Sequence, residues 1–432
     1  MPRNRFSRRR FLKGAAMGAG AVSILPILGQ RPARAVQGVP GRFMVVINML
    51  GGNDGLNMVV PSHLDPYVTR RPTINLVENI PQDESLLDLA GSDFKLHYGL
   101  GTLQNIWDQN DLHIVQKVSY PNPNQSHFTS QDIMSFGVRD TEFGGDGRGW
   151  LGRFADEYAS NPSEPLGVVS VGMGRRRDFE SDVTDPLIIS TVNGFRVDDD
   201  NDYRTDHVLR ERVVRDILES DANPPADPAL SIFSANKQAY ELVDQIQAET
   251  SEWIDPGTYP NTSLGRNLKT VSQLLHAQDT FNTKVFYTGF GGFDTHSNQH
   301  VNGANDGRHA SLMRQLDGAV DAFRTDMQDR SMWNDCVIVV ISEFGRRVFE
   351  NGSDGTDHGH GNAFLVMGGR VKGGNMTGDI VESDIATAST VPFEYDFRDL
   401  YGNVIQNHLG VNPTPLFPDQ DYVASFNDID LV

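Results

Sequence analysis

The chain has 432 residues, of which 38% are hydrophobic and 22% charged, with 42 Gly, 22 Pro and one Cys. This profile excludes a disordered chain, and the lone Cys336 excludes a disulfide-stapled scaffold. The formal charge of −20, from 37 basic and 57 acidic residues, argues against a broad nucleic-acid surface, which needs a basic face.

The charge is unevenly placed. Residues 1–35 hold eight basic residues and no acid, leaving 29 basic against 57 acidic residues, or −28, in the remainder. Within this segment Ser7-Arg8-Arg9-Arg10-Phe11-Leu12-Lys13 precedes a weakly apolar stretch, Gly14 to Leu28, and then Ala33-Arg34-Ala35. That order predicts a twin-arginine export signal cleaved after Ala35, engagement of the twin-arginine machinery, and a periplasmic or extracellular product. No later stretch carries eighteen consecutive apolar residues, so no stable membrane insertion is expected after cleavage.

Residues 36–432 are expected to form one α/β domain. In chain order, the apolar runs Phe43–Leu50, Leu112–Val118, Gly167–Val171, Leu187–Ile189, Val285–Phe290, Cys336–Ile341 and Phe364–Met367 read as strands. Several are continuously apolar, which suits parallel strands covered on both faces. Helical spacing appears between them. Val208, Leu209, Val213, Val214, Ile217 and Leu218 form one apolar face, as do Leu268, Val271, Leu274 and Leu275 within 265–277. A third face is made by Leu312, Leu316, Val320, Phe323 and Met327. The alternation predicts a layered α/β fold with a mostly parallel central sheet flanked by helices. The stretch 195–262, which opens on Asp198-Asp199-Asp200-Asn201-Asp202, reads as a helical, acidic insertion. The Asp run lacks the spacing of an EF-hand loop and reads as solvated.

In open α/β sheets, ligands bind beyond the carboxyl ends of the strands. The polar residues that follow the apolar runs are therefore the candidates. They are Gly51-Gly52-Asn53-Asp54-Gly55, the Ser126-His127 stretch, Gly291-Gly292-Phe293-Asp294-Thr295-His296, Ser342-Glu343-Phe344-Gly345-Arg346 and Asp357-His358-Gly359-His360-Gly361. Histidines and carboxylates on separate loops suit Zn, Mn or Fe better than Ca or Mg alone. Each residue also has a structural reading. Asp54 fits a turn, Asp294 a helix cap, Glu343 a salt bridge to Arg346 or Arg347, and His358 and His360 an exposed loop. Ser126 fits either an N-cap or a nucleophile at a helix N-terminus, where amide donors stabilise anions.

These motifs, together with Gly149-Trp150-Leu151-Gly152-Arg153, occur in an order that resembles the exported bacterial proteins of the domain of unknown function 1501 family, over roughly residues 40–410. That family is similar to the alkaline phosphatase superfamily of phosphatases, sulfatases and cofactor-independent phosphoglycerate mutases. The resemblance implies an alkaline-phosphatase-like fold. It also implies a divalent metal held by Asp54, Asp294, His296, Glu343 and His358 or His360, with Ser126 as the nucleophile. One departure stands out: Phe344 occupies the position where the superfamily's pattern has a histidine, and His127 or Asp357 would have to fill the gap. Formylglycine chemistry is not implied, because Ser119-Tyr120-Pro121-Asn122-Pro123 lacks the arginine that its maturation needs.

The expected function is an exported metal-dependent hydrolase of small anionic phosphate or sulfate esters, with Ser126 or a metal-bound water attacking and Arg346 binding the substrate anion. The alternative is a non-catalytic exported binding or assembly protein that keeps the fold.

Overall fold

Each of the seven apolar runs contains a strand. In a computed structural model, residues 37–139, 146–159, 166–184, 186–195, 207–219, 229–300, 307–418 and 429–432 are described. The expected export signal, residues 1–35, and the Asp198–Asp202 run lie outside the described residues.

The strands are β1 (Phe43–Leu50), β2 (Val59–Val60), β3 (Leu87–Asp88), β4 (Lys95–Leu96), β5 (Leu112–Ser119), β6 (Val168–Val171), β7 (Leu187–Ile189), β8 (Val285–Gly291), β9 (Cys336–Ile341), β10 (Asn362–Met367), β11 (Asn375–Thr377) and β12 (Tyr395–Asp396). Nine of them form one sheet in the order β11-β5-β10-β9-β1-β8-β6-β7, with β12 paired to β5, while β2, β4 and β3 form a small separate sheet. All pairings in the large sheet are parallel except those of β10, which runs against both β9 and β5. The expected layered α/β architecture with a mostly parallel sheet is therefore the observed one.

The central parallel strands β1 and β9 are almost wholly apolar because both faces are covered. Along β1, Phe43, Val45, Ile47 and Met49 join one core, while Met44 and Val46 join the other. β9 divides the same way, with Cys336, Ile338 and Val340 on one face and Val337, Val339 and Ile341 on the opposite one. The helices that matter here are α1 (His127–Phe136), α2 (Trp150–Tyr158), α3 (His207–Glu219), α4 (Ala229–Glu249), α5 (Ser263–Leu275) and α6 (Gly307–Asp329). Leu268 and Val271 of α5 and Leu316, Val320 and Phe323 of α6 cover the first face. Ile133 and Met134 of α1 and Trp150, Leu151 and Phe154 of α2 cover the second.

Helix α3 departs from its sequence pattern. Val213, Val214 and Ile217 are exposed, while Leu218 is buried. The helix meets α4 through Arg215, which pairs with Asp244 and lies over the Tyr240 ring, so its docking is partly polar. Among the described residues, no helix is long and apolar enough to cross a membrane.

Strand direction gathers the site. β1, β5, β8 and β9 run the same way, so the loops after them leave from one edge of the sheet. β10 is reversed, so the loop before it, 355–361, arrives at that same edge. Five segments distant in sequence are thereby placed side by side.

Candidate metal centre

The loops meet because glycine lets them touch. Gly51 has φ +121°, and a Cβ there would lie 2.4 Å from the backbone nitrogen of Asp294. Gly52 has φ +74°, and a Cβ there would lie 2.3 Å from the Phe344 ring. Any larger residue at either position would separate the β1 loop from those after β8 and β9.

At the meeting point one carboxylate oxygen collects several partners. Asp294 Oδ1 lies 3.1 Å from His296 Nε2, 3.1 Å from His358 Nε2 and 3.5 Å from His127 Nε2. His127, Asp294 and His358 each offer a ligand atom, and these atoms all lie within 4.8 Å of one another. His296 Nε2 is 2.9 Å from His358 Nε2. The Phe344 ring packs against both His127 and His358, with centroids 4.8 and 4.7 Å away.

The other nitrogen of each ring is held by an acceptor. His127 Nδ1 donates to Glu343 Oε1 at 2.8 Å, His296 Nδ1 to Asp357 Oδ1 at 3.1 Å and His358 Nδ1 to the Gln125 carbonyl at 2.7 Å. A carbonyl or an ionised carboxylate can only accept, so each Nδ1 carries the proton. Glu343 is ionised: burial pushes its carboxyl up, but His127, a backbone amide and Gln131 outweigh that and hold it low. Asp357 is held below its ordinary value chiefly by Asn351, with help from His296. The three Nε2 atoms are thereby turned toward one another and toward the Asp294 carboxylate, where an unprotonated Nε2 presents a lone pair to an anionic oxygen and a protonated one donates to it. With the rings neutral such a cluster repels itself, and either a metal cation or a second proton on a ring relieves that repulsion. Imidazoles locked by carboxylate or carbonyl partners on the far nitrogen are also the usual arrangement of metal-ligating histidines.

The ring environments differ. His127 is raised above its ordinary pKa, mainly by its bond to Glu343. Burial lowers His358. Asp294 is pulled well below the carboxylate range despite partial burial, because Arg346 and His358 bond to it.

Three expected site residues stand elsewhere. Asp54 is fully buried and does not face the cluster: Arg71 Nη1 donates to its Oδ2 at 2.7 Å and Nη2 to its Oδ1 at 3.1 Å, while Gln299 donates to Oδ2. Burial would raise its pKa, but the Arg71 guanidinium wins and holds it low. With both oxygens occupied, Asp54 is an internal ion pair rather than an open ligand. Arg346 is also sealed. Its guanidinium donates to Asp294 Oδ1 at 2.7 Å and to the carbonyls of Gly51, Gly52, Phe293 and Thr356, which ties three loops together and leaves little to offer a substrate. His360 faces Thr390 Oγ1 at 3.2 Å and Gln125 Nε2 at 3.4 Å, one step outside the cluster.

The structure brings together Asp294, His296 and His358, with Glu343 behind them as the acceptor that orients His127 rather than as a direct neighbour of Asp294. Ser126 is half-buried beside His127 and caps α1 with a long contact, 3.5 Å, from the Thr129 amide. His127 sits at the centre, although from sequence it is only a substitute for the histidine absent at 344. Its signal was the Ser-His pair at a helix start. Arg71 carries no such signal, being a lone arginine in a turn-rich stretch.

A family model described as "Protein of unknown function (DUF1501)" matches residues 117–421. No curated protein gives a significant match. Three solved structures illustrate the wider similarity. A protein in the alkaline phosphatase superfamily from Vibrio parahaemolyticus is 9% identical, with 96% of this chain and 78% of that chain covered and a TM-score of 0.37. The lipoteichoic acid synthase LtaP from Listeria monocytogenes is 9% identical, with coverages of 90% and 77% and a TM-score of 0.35. The C-terminal periplasmic domain of EcEptC from Escherichia coli, solved in complex with Zn, is 10% identical, with coverages of 94% and 96% and a TM-score of 0.33.

Proposed function

The chain belongs to the DUF1501 family, and on that premise we propose that it is an exported hydrolase of phosphate or sulfate esters that works with a single divalent cation. The observation that carries the reading is the convergence of three imidazole Nε2 atoms, those of His127, His296 and His358, on Asp294 Oδ1. The donor set of imidazoles and one carboxylate suits Zn, Mn or Fe. One cation is proposed rather than two because the other nearby aspartate, Asp54, is already neutralised by Arg71.

A cation held by these four residues supplies Lewis acidity to an ester oxygen and lowers the pKa of a hydroxyl or water beside it. The chain's own groups do the rest. Glu343, Asp357 and the Gln125 carbonyl keep the three rings in the tautomer that turns Nε2 inward. Ser126 Oγ, next to His127, is the attacking hydroxyl: it gives up its proton to water and bonds to phosphorus or sulfur as the ester oxygen departs and is protonated, and water then cleaves the seryl ester to release the inorganic anion. The N-terminal amides of α1, at the positive end of a ten-residue helix, face the oxyanion in place of the enclosed Arg346. Export by the twin-arginine route is part of this proposal and rests on the sequence of residues 1–35.

The test is metal analysis of the purified protein together with turnover of a panel of phosphate and sulfate esters. Bound metal with turnover that Ser126→Ala abolishes supports the reading, turnover surviving Ser126→Ala moves the attack to water, and absence of both metal and turnover rejects it. The burial of Arg346 favours one second reading, a non-catalytic binding protein with the same cation. It predicts metal without turnover.

A further inference from the structure

Phe128 directly follows His127 and is 85% exposed. Among the residues whose side-chain exposure is described it is the only exposed Phe, Tyr or Trp. Leaving such a ring in water forgoes about 2 kcal/mol of burial. On the helix surface a residue neighbours those three and four positions on. Those residues locate Phe128. Gln131 donates to Glu343 at 3.1 Å, behind the histidine cluster, and Asp132 accepts from Arg177 at 2.7 Å in the loop after β6. The β6 loop leaves from the same sheet edge as the β8 loop, because the two strands are parallel neighbours. The ring therefore stands at the rim of the candidate site, between the cluster and the β6 loop.

We infer that Phe128 is a specificity-determining residue that packs against the organic portion of the ester, selecting substrates whose anionic group is attached to a planar or otherwise apolar-faced moiety. This rests on the ester-hydrolase reading of the site. A small ligand is the occupant that fits. One aromatic side chain contributes roughly 150–250 Å², whereas a stable protein partner needs on the order of 1,000 Å². The other exposed large hydrophobics are aliphatic and none is on α1. Beside a cation that takes the anionic oxygens, a lone ring can offer only dispersion and stacking to what those oxygens are attached to.

The test is equilibrium binding of two non-hydrolysable anions, phenylphosphonate and methylphosphonate, to the zinc-loaded full chain, its Phe128→Ala variant and an Ile254→Ala control. The expected result is that the wild type and Ile254→Ala prefer phenylphosphonate by about fivefold or more. Phe128→Ala brings the ratio close to one, with unchanged zinc content and little change in methylphosphonate affinity. A ratio unaltered by Phe128→Ala, or equal weakening of both ligands, overturns the inference. Wild-type binding of both ligands without preference also overturns it while leaving the hydrolase reading intact. Failure of the zinc-loaded wild type to bind either anion removes that reading and the inference with it.

Discussion

Two aspartates follow glycine-pair turns on neighbouring parallel strands, Asp54 after β1 and Asp294 after β8, and they come to opposite ends. Asp54 is 1% exposed and locked to Arg71, whose side chain is 0% exposed. Asp294 is 49% exposed and lies among three imidazole nitrogens. Fold position alone does not make a carboxylate a ligand; its counter-ion decides. An aspartate that already has a bidentate guanidinium gains little from a metal. One facing lone pairs gains both charge balance and relief of repulsion. Arg346 shows the limit of that contrast, because it reaches Asp294 too, but through one oxygen and while holding four carbonyls together.

The contrast can be broken by substitution. The largest effect is expected from Asp54→Ala. It leaves Arg71 buried without its carboxylate and should cost about 3–5 kcal/mol in urea unfolding, while the folded fraction still binds one metal per chain. Loss of metal with little loss of stability would reverse the roles assigned to the two residues. Next comes Asp294→Ala, which should weaken metal binding by more than about a hundredfold, beyond the usual effect of removing an outer partner. Its effect on the metal-free protein should be smaller than that of Asp54→Ala, because the buried Arg346 loses a single-oxygen contact and keeps its four carbonyl acceptors.

Glu343→Gln sharpens the comparison further. It keeps the side-chain shape but removes the acceptor charge behind His127, and should weaken metal binding by about ten- to a hundredfold. No change in affinity would mean that the tautomer of His127 is not set by Glu343.

The smallest effect lies far from both aspartates. His408 Nε2 donates to the carbonyls of Phe43 and Asp335, and its buried Nδ1 has no hydrogen-bond partner. Burial, only partly opposed by those carbonyls, lowers its pKa to about 4 from 6.5. The folded state therefore binds fewer protons than the unfolded one between these values, and stability present above pH 6.5 is lost as pH falls toward 4. The loss from this group is about 1 kcal/mol at pH 5.5. His408→Gln should flatten that slope in unfolding measurements at pH 7 and 5.5, and an unchanged slope would assign the acid sensitivity to other groups.

The sheet was legible because covered parallel strands leave nearly continuous apolar runs: β9 shows that pattern without interruption, and β1 carries Asn48 as its one polar residue. The clustering of the loops was legible too, once strand direction was assumed. What sequence does not carry is the pairing of charges across loops. Arg71 reaches Asp54 from a turn with no periodic pattern, and Arg346 is enclosed by carbonyls, which every residue has. The tautomers are equally silent, since they depend on which acceptor meets each Nδ1. For α3, an apolar spacing was present, yet Val213, Val214 and Ile217 stay exposed, because spacing does not say which face is covered.

The most direct test is a titration of the metal-free full chain with zinc, followed through the ring nitrogens of ¹⁵N-labelled histidine. A single-cation site predicts that the Nε2 signals of His127, His296 and His358 shift together and saturate at one equivalent. Saturation at two equivalents, or histidines that do not respond at all, would contradict it.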